Sequence, residues 1–481
     1  MNNKLNEKYG LFTAICAVVG IVIGSGIFFK AQNVIQSANG NMGGAIGIVV
    51  VMGLIMLVCA LTFSTLASKY EKMNGVVDYA ECTVGKKYAF FTNWFMTVIY
   101  TPVITCVLSW VSARYTCVLF GWAPFAERHL ALTAFYLIAI YTFNVISPKF
   151  AGKFQVSTTI IKLVPIAVMA VIGTIAGLIN GVTLETFTTI AEAGANTNIS
   201  FFSGIAAFAF AYEGWIVITS LNAEIKNSKK NLPIAITFGC LAVIAIYVLY
   251  YVGIASVLTA DEIYTSADIP MDAFSKLFGS KIVGSLVYVF IVISCLGTTN
   301  ALMMGCTRGI YSMAVRNQGI MPEVFSEVSP KTNMPHNSAV AGLALCGFWL
   351  LQFIICFQST FINGTPIVPP SFSWESDEVV IITIYAIYIP IFIAFMAKGK
   401  GVGAVKRFVL PSLAIVACLF MCYSAYQAYK ANGMIWNYLI TFAVIMFVGM
   451  LLYGGKFGLS FFKKEKVDTM EVSSEVISDA E

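Results

Sequence analysis

Residues 20–29 read GIVIGSGIFF, a stretch apolar enough to lie in a bilayer that nevertheless carries three glycines and a serine. In hydrocarbon an unpaired backbone N–H or C=O costs several kcal/mol, so a helix is interrupted at membrane depth only where protein or ligand satisfies the freed groups. Gly24, Ser25 and Gly26 therefore read as a cradle for a ligand. The same conflict recurs roughly 190 residues on, in FAFAYEGW at 208–215, where Glu213 and Gly214 interrupt another apolar stretch. Two broken segments in corresponding halves suggest an inverted repeat, with a binding site near the midplane where the discontinuous helices meet. The plainer reading, that small residues only allow tight helix packing, explains one such stretch better than a matched pair.

Composition agrees with a membrane protein: 58% of the 481 residues are hydrophobic, 11% are charged and the mean hydropathy is +0.82. Apolar runs of about 20 residues give twelve expected spans at 11–36, 43–68, 88–119, 129–147, 154–180, 200–223, 233–258, 282–316, 337–357, 379–397, 408–428 and 434–455. Connections are short, the longest near 260–280, 316–336 and 358–378. This divides the chain into a tail at 1–10, a first five-helix repeat at 11–180, a second at 200–397, two further helices at 408–455 and an acidic tail at 456–481.

Lysine and arginine favour cytoplasmic loops. With the N-terminus inside, 21 of the 29 basic residues fall on inner segments, while Lys30, Lys162 and Arg308 lie within spans. Both termini are thus expected in the cytoplasm, in the plasma membrane. The net charge of +5 reports topology and gives no case for nucleic acid. The first apolar run lacks a small-residue cleavage site and reads as a span. Twelve cysteines are scattered through the spans without a C-x-x-C, with only Cys418 and Cys422 at a helical spacing. They read as small buried hydrophobes, with no support for a metal or other cofactor or for a disulfide framework. The 467–481 tail is read as disordered.

The breaks have a definite chemistry. Where the first helix restarts near Gly26, its leading N–H groups are orphaned and its N-terminus carries positive partial charge, which suits a carboxylate. In the sixth span the chain through Phe210, Ala211, Tyr212 and Glu213 ends a half-helix, leaving carbonyls free to accept from an ammonium. Two facing ends would recognise an amino-acid zwitterion through backbone and leave side chains to select the R group.

Four motifs in order, GSGIF, QVSTTIIKLVPI, FAYEGW followed by EIKNSKKNLPIAI, and RGIYSMAVRNQGIMPEVFSEVSP, resemble the amino acid-polyamine-organocation superfamily. Within it the likeness is to the L-type amino acid transporter family and its bacterial relatives of the serine/threonine exchanger kind, over most of the chain to about Pro335. The resemblance implies an all-α integral membrane protein of the leucine-transporter fold, with twelve transmembrane helices, a five-plus-five inverted repeat, discontinuous helices 1 and 6, and alternating access. It puts carboxylate-binding backbone on Gly24, Ser25 and Gly26, and ammonium-binding carbonyls on Val22, Phe210, Ala211 and Glu213. Tyr212 and Trp215 fall beside the sixth-helix break, where the family has aromatic gating and R-group contacts. Glu213 departs from the pattern, since close bacterial relatives tend to have Asp there and many animal ones Gly.

A carboxylate at membrane depth is a functional candidate, and three roles stay open for Glu213: capping the break, carrying a coupling proton, or meeting a cationic substrate. The resemblance puts Lys162 where sodium-coupled relatives of the fold bind a cation, tying helix 5 to the unwound part of helix 1 and implying sodium independence. The alternative is a lysine snorkelling to the interface. Tyr100 and Tyr247 match tyrosines near the site in relatives, or serve packing. Asn300 either bonds across helices or faces substrate, and Arg308 anchors the inner end of helix 8. Segments 224–230 and 316–335 read as solvated loops.

The expected activity is sodium-independent transport of neutral L-amino acids, by exchange or linked to protons. The alternatives are a polyamine or cationic amino acid carrier and an amino acid-sensing transceptor. A channel lacks its rings of charge or filter repeats. An enzyme lacks a nucleophile constellation; the two histidines, His129 and His336, fall in predicted loops. Animal relatives pair with a glycoprotein through a cysteine in the loop after helix 3. Here loop 121–130 has none and Cys117 lies inside the helix, so no obligate disulfide-linked subunit is expected.

Overall fold

Hydrocarbon forces backbone groups to pair within each segment, and the chain accordingly forms helices throughout. The computed structural model describes residues 10–24, 26–70, 75–191, 201–216, 225–332, 334–358, 376–430, 433–458 and 461. Ser25, most of the 358–378 connection, the acidic tail and the end of the sixth expected span lie outside the described residues.

Among those described, eleven helices are long and apolar enough to cross a membrane. We number the segments α1 (Leu11–Val22), α2 (Met42–Tyr70), α3 (Lys86–Leu119), α4 (Glu127–Ile146), α5 (Pro148–Asn180), α6 (Phe201–Ala209), α7 (Ser228–Val257), α8 (Lys281–Ala314), α9 (His336–Cys356), α10 (Glu378–Lys398), α11 (Val405–Tyr429) and α12 (Met434–Leu451). The first expected span is divided as its glycines demand: α1 stops at Val22, and helix resumes at Gly26–Phe29 and again at Ala31–Ser37. In the sixth, α6 tightens into a 3-10 turn at Phe210–Tyr212 before Glu213 becomes extended.

The 260–280 connection contains two short helices, Ala260–Thr265 and Ile269–Phe278, the first started by a capping box between Thr259 and Glu262. Two sequence expectations need correction. His129 is not in a loop: it sits in the first turn of α4, fully buried, with Nδ1 accepting the Phe125 N–H and Nε2 facing the Trp110 carbonyl at 2.9 Å. His336 opens α9. Both histidines were misread because they lie at helix starts, where an apolar-run criterion loses its contrast.

Small residues let the helices close on one another. A side chain at Gly253 of α7 would meet the Met169 carbonyl of α5, and one at Gly177 of α5 would meet Ser256 of α7. Gly342 of α9 lies against the Cys306 carbonyl of α8. In α3, Pro102 has no N–H to give to Val98, and the helix widens to a π turn at Met96–Tyr100. The Val98 carbonyl instead accepts from Trp349 Nε1 of α9 at 2.7 Å, and Met96 accepts from Thr101 Oγ1 at 2.8 Å.

Asn300 of α8 is fully buried and joins three helices. Its amide nitrogen lies 3.1 Å from both the Ala151 carbonyl and Gln155 Oε1 of α5, and its oxygen accepts from Asn144 of α4 at 2.9 Å. Its polar atoms are thus engaged across helices. Replacing Asn300 with leucine removes three hydrogen bonds between helices, although Asn144 keeps its bond to the Ile140 carbonyl, and hydrogen bonds of this kind contribute about 0.5–1.5 kcal/mol each. Asn300→Leu should lower the thermal midpoint of the detergent-purified protein followed by tryptophan fluorescence; an unchanged midpoint would show that the network contributes nothing.

Candidate functional site

The two breaks lie against each other. A side chain at Gly26 would sit 2.7 Å from Cα of Ala211, and one at Gly214 would sit 3.2 Å from the Ile21 side chain. Gly26 thus faces Ala211 and Ile21 faces Gly214, so the two breaks run antiparallel. Gly214 also has φ of +100°, a conformation L side chains rarely adopt. Glycine at 26 was expected to admit a ligand to the backbone. In this structure it first admits the backbone of Ala211.

The carbonyls freed where α1 ends find partners from neighbouring helices. Ile23 is extended, at φ −66° and ψ 101°, so the helix cannot continue. Lys162 Nζ of α5 donates to the Gly20 carbonyl at 2.6 Å, and the residue is 2% exposed. This depth rules out the snorkelling alternative, which requires the ammonium to reach the interface. Tyr247 of α7 spans both breaks: its hydroxyl donates to the Ala211 carbonyl at 2.7 Å and lies 3.3 Å from the Val22 carbonyl. The Phe210 carbonyl accepts the Glu213 N–H at 3.4 Å. Gly24 faces Thr298 of α8, a neighbour the sequence reading missed.

Glu213 projects towards the scaffold. Tyr100 Oη, from the π turn of α3, donates to Glu213 Oε1 at 2.5 Å. The Gly214 amide lies beside the same carboxylate, and Tyr385 and Tyr388 of α10 lie within electrostatic range. Glu213 Oε2 is buried with no hydrogen-bond donor in reach among the described residues. Tyr212 packs against Tyr247 with ring centroids 4.9 Å apart and the ring planes tilted by 49°.

Aromatic layers flank the breaks. Beyond Gly26, Phe29 meets Phe210 edge-on at 5.2 Å. The next residue, Lys30, pairs with Glu378 of α10 at 2.5 Å with both side chains nearly buried, and Tyr429 of α11 hydrogen-bonds the same carboxylate. Beyond Gly214, Trp215 packs on Phe63 of α2 at 5.7 Å and on Tyr388 at 6.1 Å. The Lys30–Glu378 pair escaped the sequence reading, although a lysine inside an apolar run signals a buried partner. Among the expected site residues, Val22, Gly24, Gly26, Phe210, Ala211, Tyr212, Glu213, Tyr100, Tyr247 and Lys162 converge on the breaks and Trp215 lies in the flanking layer. Ser25 falls outside the described residues, and Asn300 belongs to the α4–α5–α8 network.

The amino acid permease family profile matches residues 9–454, and the chain belongs to that family. It is 30% identical over 412 residues to the serine/threonine exchanger SteT of Bacillus subtilis (strain 168), covering 85% of this chain and 87% of that protein. It is 26% identical over 340 residues to the human cystine/glutamate transporter, covering 69% of this chain and 65% of that protein. It is 26% identical over 370 residues to the human large neutral amino acids transporter small subunit 2, covering 75% of this chain and 66% of that one. Among solved structures it resembles MhsT in complex with L-phenylalanine, with a TM-score of 0.56 at 14% identity, covering 88% of this chain and all of the other. The architecture is the leucine-transporter fold.

Gly26→Ala must push Ala211 aside, and overpacking of this kind costs about 1–3 kcal/mol. Tyr247→Phe keeps the ring and removes the hydroxyl that joins the breaks, at a cost near 1 kcal/mol. Both variants should show lower thermal midpoints than the parent; a Gly26→Ala midpoint equal to the parent's would contradict the close approach.

Proposed function

We propose that this member of the amino acid permease family carries neutral L-amino acids across the plasma membrane by alternating access, without sodium, either by exchange or with a proton. The observation that carries this reading is the opposed pair of half-helix ends at Gly26 and Ala211. The helix that restarts at Gly26 offers orphaned N–H groups to a carboxylate. The Ala211 carbonyl accepts from Tyr247, but a carbonyl oxygen has two lone pairs, so a substrate ammonium can share it.

Lys162 supports sodium independence. Its ammonium supplies a fixed positive charge at the Gly20 carbonyl, at 2.6 Å, where a mobile cation would otherwise be drawn to the freed carbonyls at the end of α1. The flanking Phe29–Phe210 and Trp215–Phe63–Tyr388 layers suit closure on either side of a central ligand. The distribution of lysine and arginine supports cytoplasmic termini, and the absence of cysteine from 121–130 supports function without a disulfide-linked subunit. A second reading, a cationic amino acid carrier, is favoured by one observation: the unpartnered Oε2 of Glu213.

The test is uptake of radiolabelled serine, threonine, alanine, leucine and lysine into proteoliposomes in sodium-free buffer, with the lumen empty or preloaded with unlabelled amino acid. Neutral substrates should accumulate without sodium, and Lys162→Met should cut the rate at least about tenfold, the equivalent of roughly 1.4 kcal/mol in a rate-limiting barrier. A strict sodium requirement would overturn the reading of Lys162, and preferential lysine uptake would favour the second reading.

A further inference from the structure

Away from the breaks, a cavity of about 670 Å³ opens where the C-terminal end of α2, the N-terminal part of α7 and the connection from α10 to α11 meet. Its rim carries Lys69, Lys400 and Lys406, and its wall carries the hydroxyl residues Ser64, Thr65, Ser68 and Thr237. None of its described lining residues is acidic. The Lys69 ammonium donates to the Lys400 carbonyl at 2.5 Å, drawing the end of α2 against the α10–α11 connection. An ammonium has three protons to donate, and this contact uses one of them.

The rest of the lining is apolar and continuous with the lipid-facing surface. Phe238 of α7 is 58% exposed and lies on the cavity wall with Leu61 and Leu410. Leu241 of α7 and Phe408, Val409 and Leu413 of α11 extend the exposed apolar surface from that point. Three cations at the membrane boundary, above exposed aliphatic and aromatic side chains of α7 and α11, match a molecule with an anionic head and hydrocarbon tails. A free phosphate would use the lysines and leave Phe238 and the α11 strip unengaged.

We propose that this cavity is a binding site for the headgroup of an anionic glycerophospholipid, with its acyl chains lying along α7 and α11. Basic pockets between transmembrane helices bind such headgroups, and a lysine near an anionic membrane surface contributes about a fivefold change in affinity. The bound lipid joins α7, which packs against α1 and carries Tyr247, and its neighbour α2 to the α10–α11 connection.

The delipidated full-length protein in neutral detergent is titrated with phosphatidylglycerol, phosphatidylcholine, inorganic phosphate or glycerol 3-phosphate. Binding is read by native mass spectrometry and by thermal midpoint. Phosphatidylglycerol should bind at least about tenfold more tightly than phosphatidylcholine. Lys69→Gln and Lys406→Gln should each weaken it about fivefold, while the midpoint of Lys406→Gln in phosphatidylcholine stays at the parent value. Phe238→Asn should weaken phosphatidylglycerol and leave any phosphate binding unchanged. Equal affinity for the two lipids, or phosphatidylglycerol binding indifferent to both lysine substitutions, would overturn the proposal. Saturation by inorganic phosphate or glycerol 3-phosphate at the same concentrations as the lipid would overturn it too, by making the cavity a site for soluble anions.

Discussion

Every feature of the centre follows from the requirement that backbone polar groups in hydrocarbon be paired. Breaking two helices releases carbonyls and amides, and three of the released carbonyls are met by side chains from other helices. Gly20 is met by Lys162 of α5, and Val22 and Ala211 by the single hydroxyl of Tyr247 of α7. The breaks are thus held by contacts that cross helix boundaries. A rigid-body displacement of α1 and α6 must exchange these contacts, and that ties backbone geometry at the centre to the packing of α5 and α7.

Much of this was legible in the sequence because a membrane makes irregularity conspicuous. The glycines at 20, 24 and 26, the Glu213–Gly214 pair and the lone Lys162 are visible against apolar surroundings. What they touch is less visible, since partners arrive from distant parts of the chain. Tyr247 is one tyrosine among 22, and nothing local separates it from those that pack at the interface. Asn300 could have faced substrate; only the approach of Asn144, Ala151 and Gln155 fixes its role. Lys30 was visible as a charge within a span, but Glu378 stands at the start of α10 beside a long connection, where a carboxylate draws no notice. The connection helices at 260–278 were missed for a related reason: their stabilising signal is the Thr259–Glu262 capping box, while the search followed long apolar runs.

Tight packing on glycine has its own logic in this environment. Lipid tails are as apolar as leucine, so helices gain little by hiding hydrophobic surface from one another and associate through close contact and hydrogen bonds. The approach of Gly253 to Met169 and of Gly342 to Cys306 belongs to the frame, whereas that of Gly26 to Ala211 belongs to the moving centre. One residue type serves both, and only the partner's identity distinguishes them.

Lys162 differs from Lys30 in one respect: Lys30 is neutralised by Glu378, whereas Lys162 is held by a carbonyl, with no carboxylate within 4 Å among the described residues. A membrane potential acts on a charge of that kind with about 2.3 kcal/mol per elementary charge per 100 mV for full passage across the field. If the Lys162–Gly20 contact travels one-tenth of the field during a transport cycle, the work is roughly 0.2 kcal/mol per 100 mV. The protein's own fixed charge then makes the conformational equilibrium sensitive to voltage even when the cargo carries no net charge.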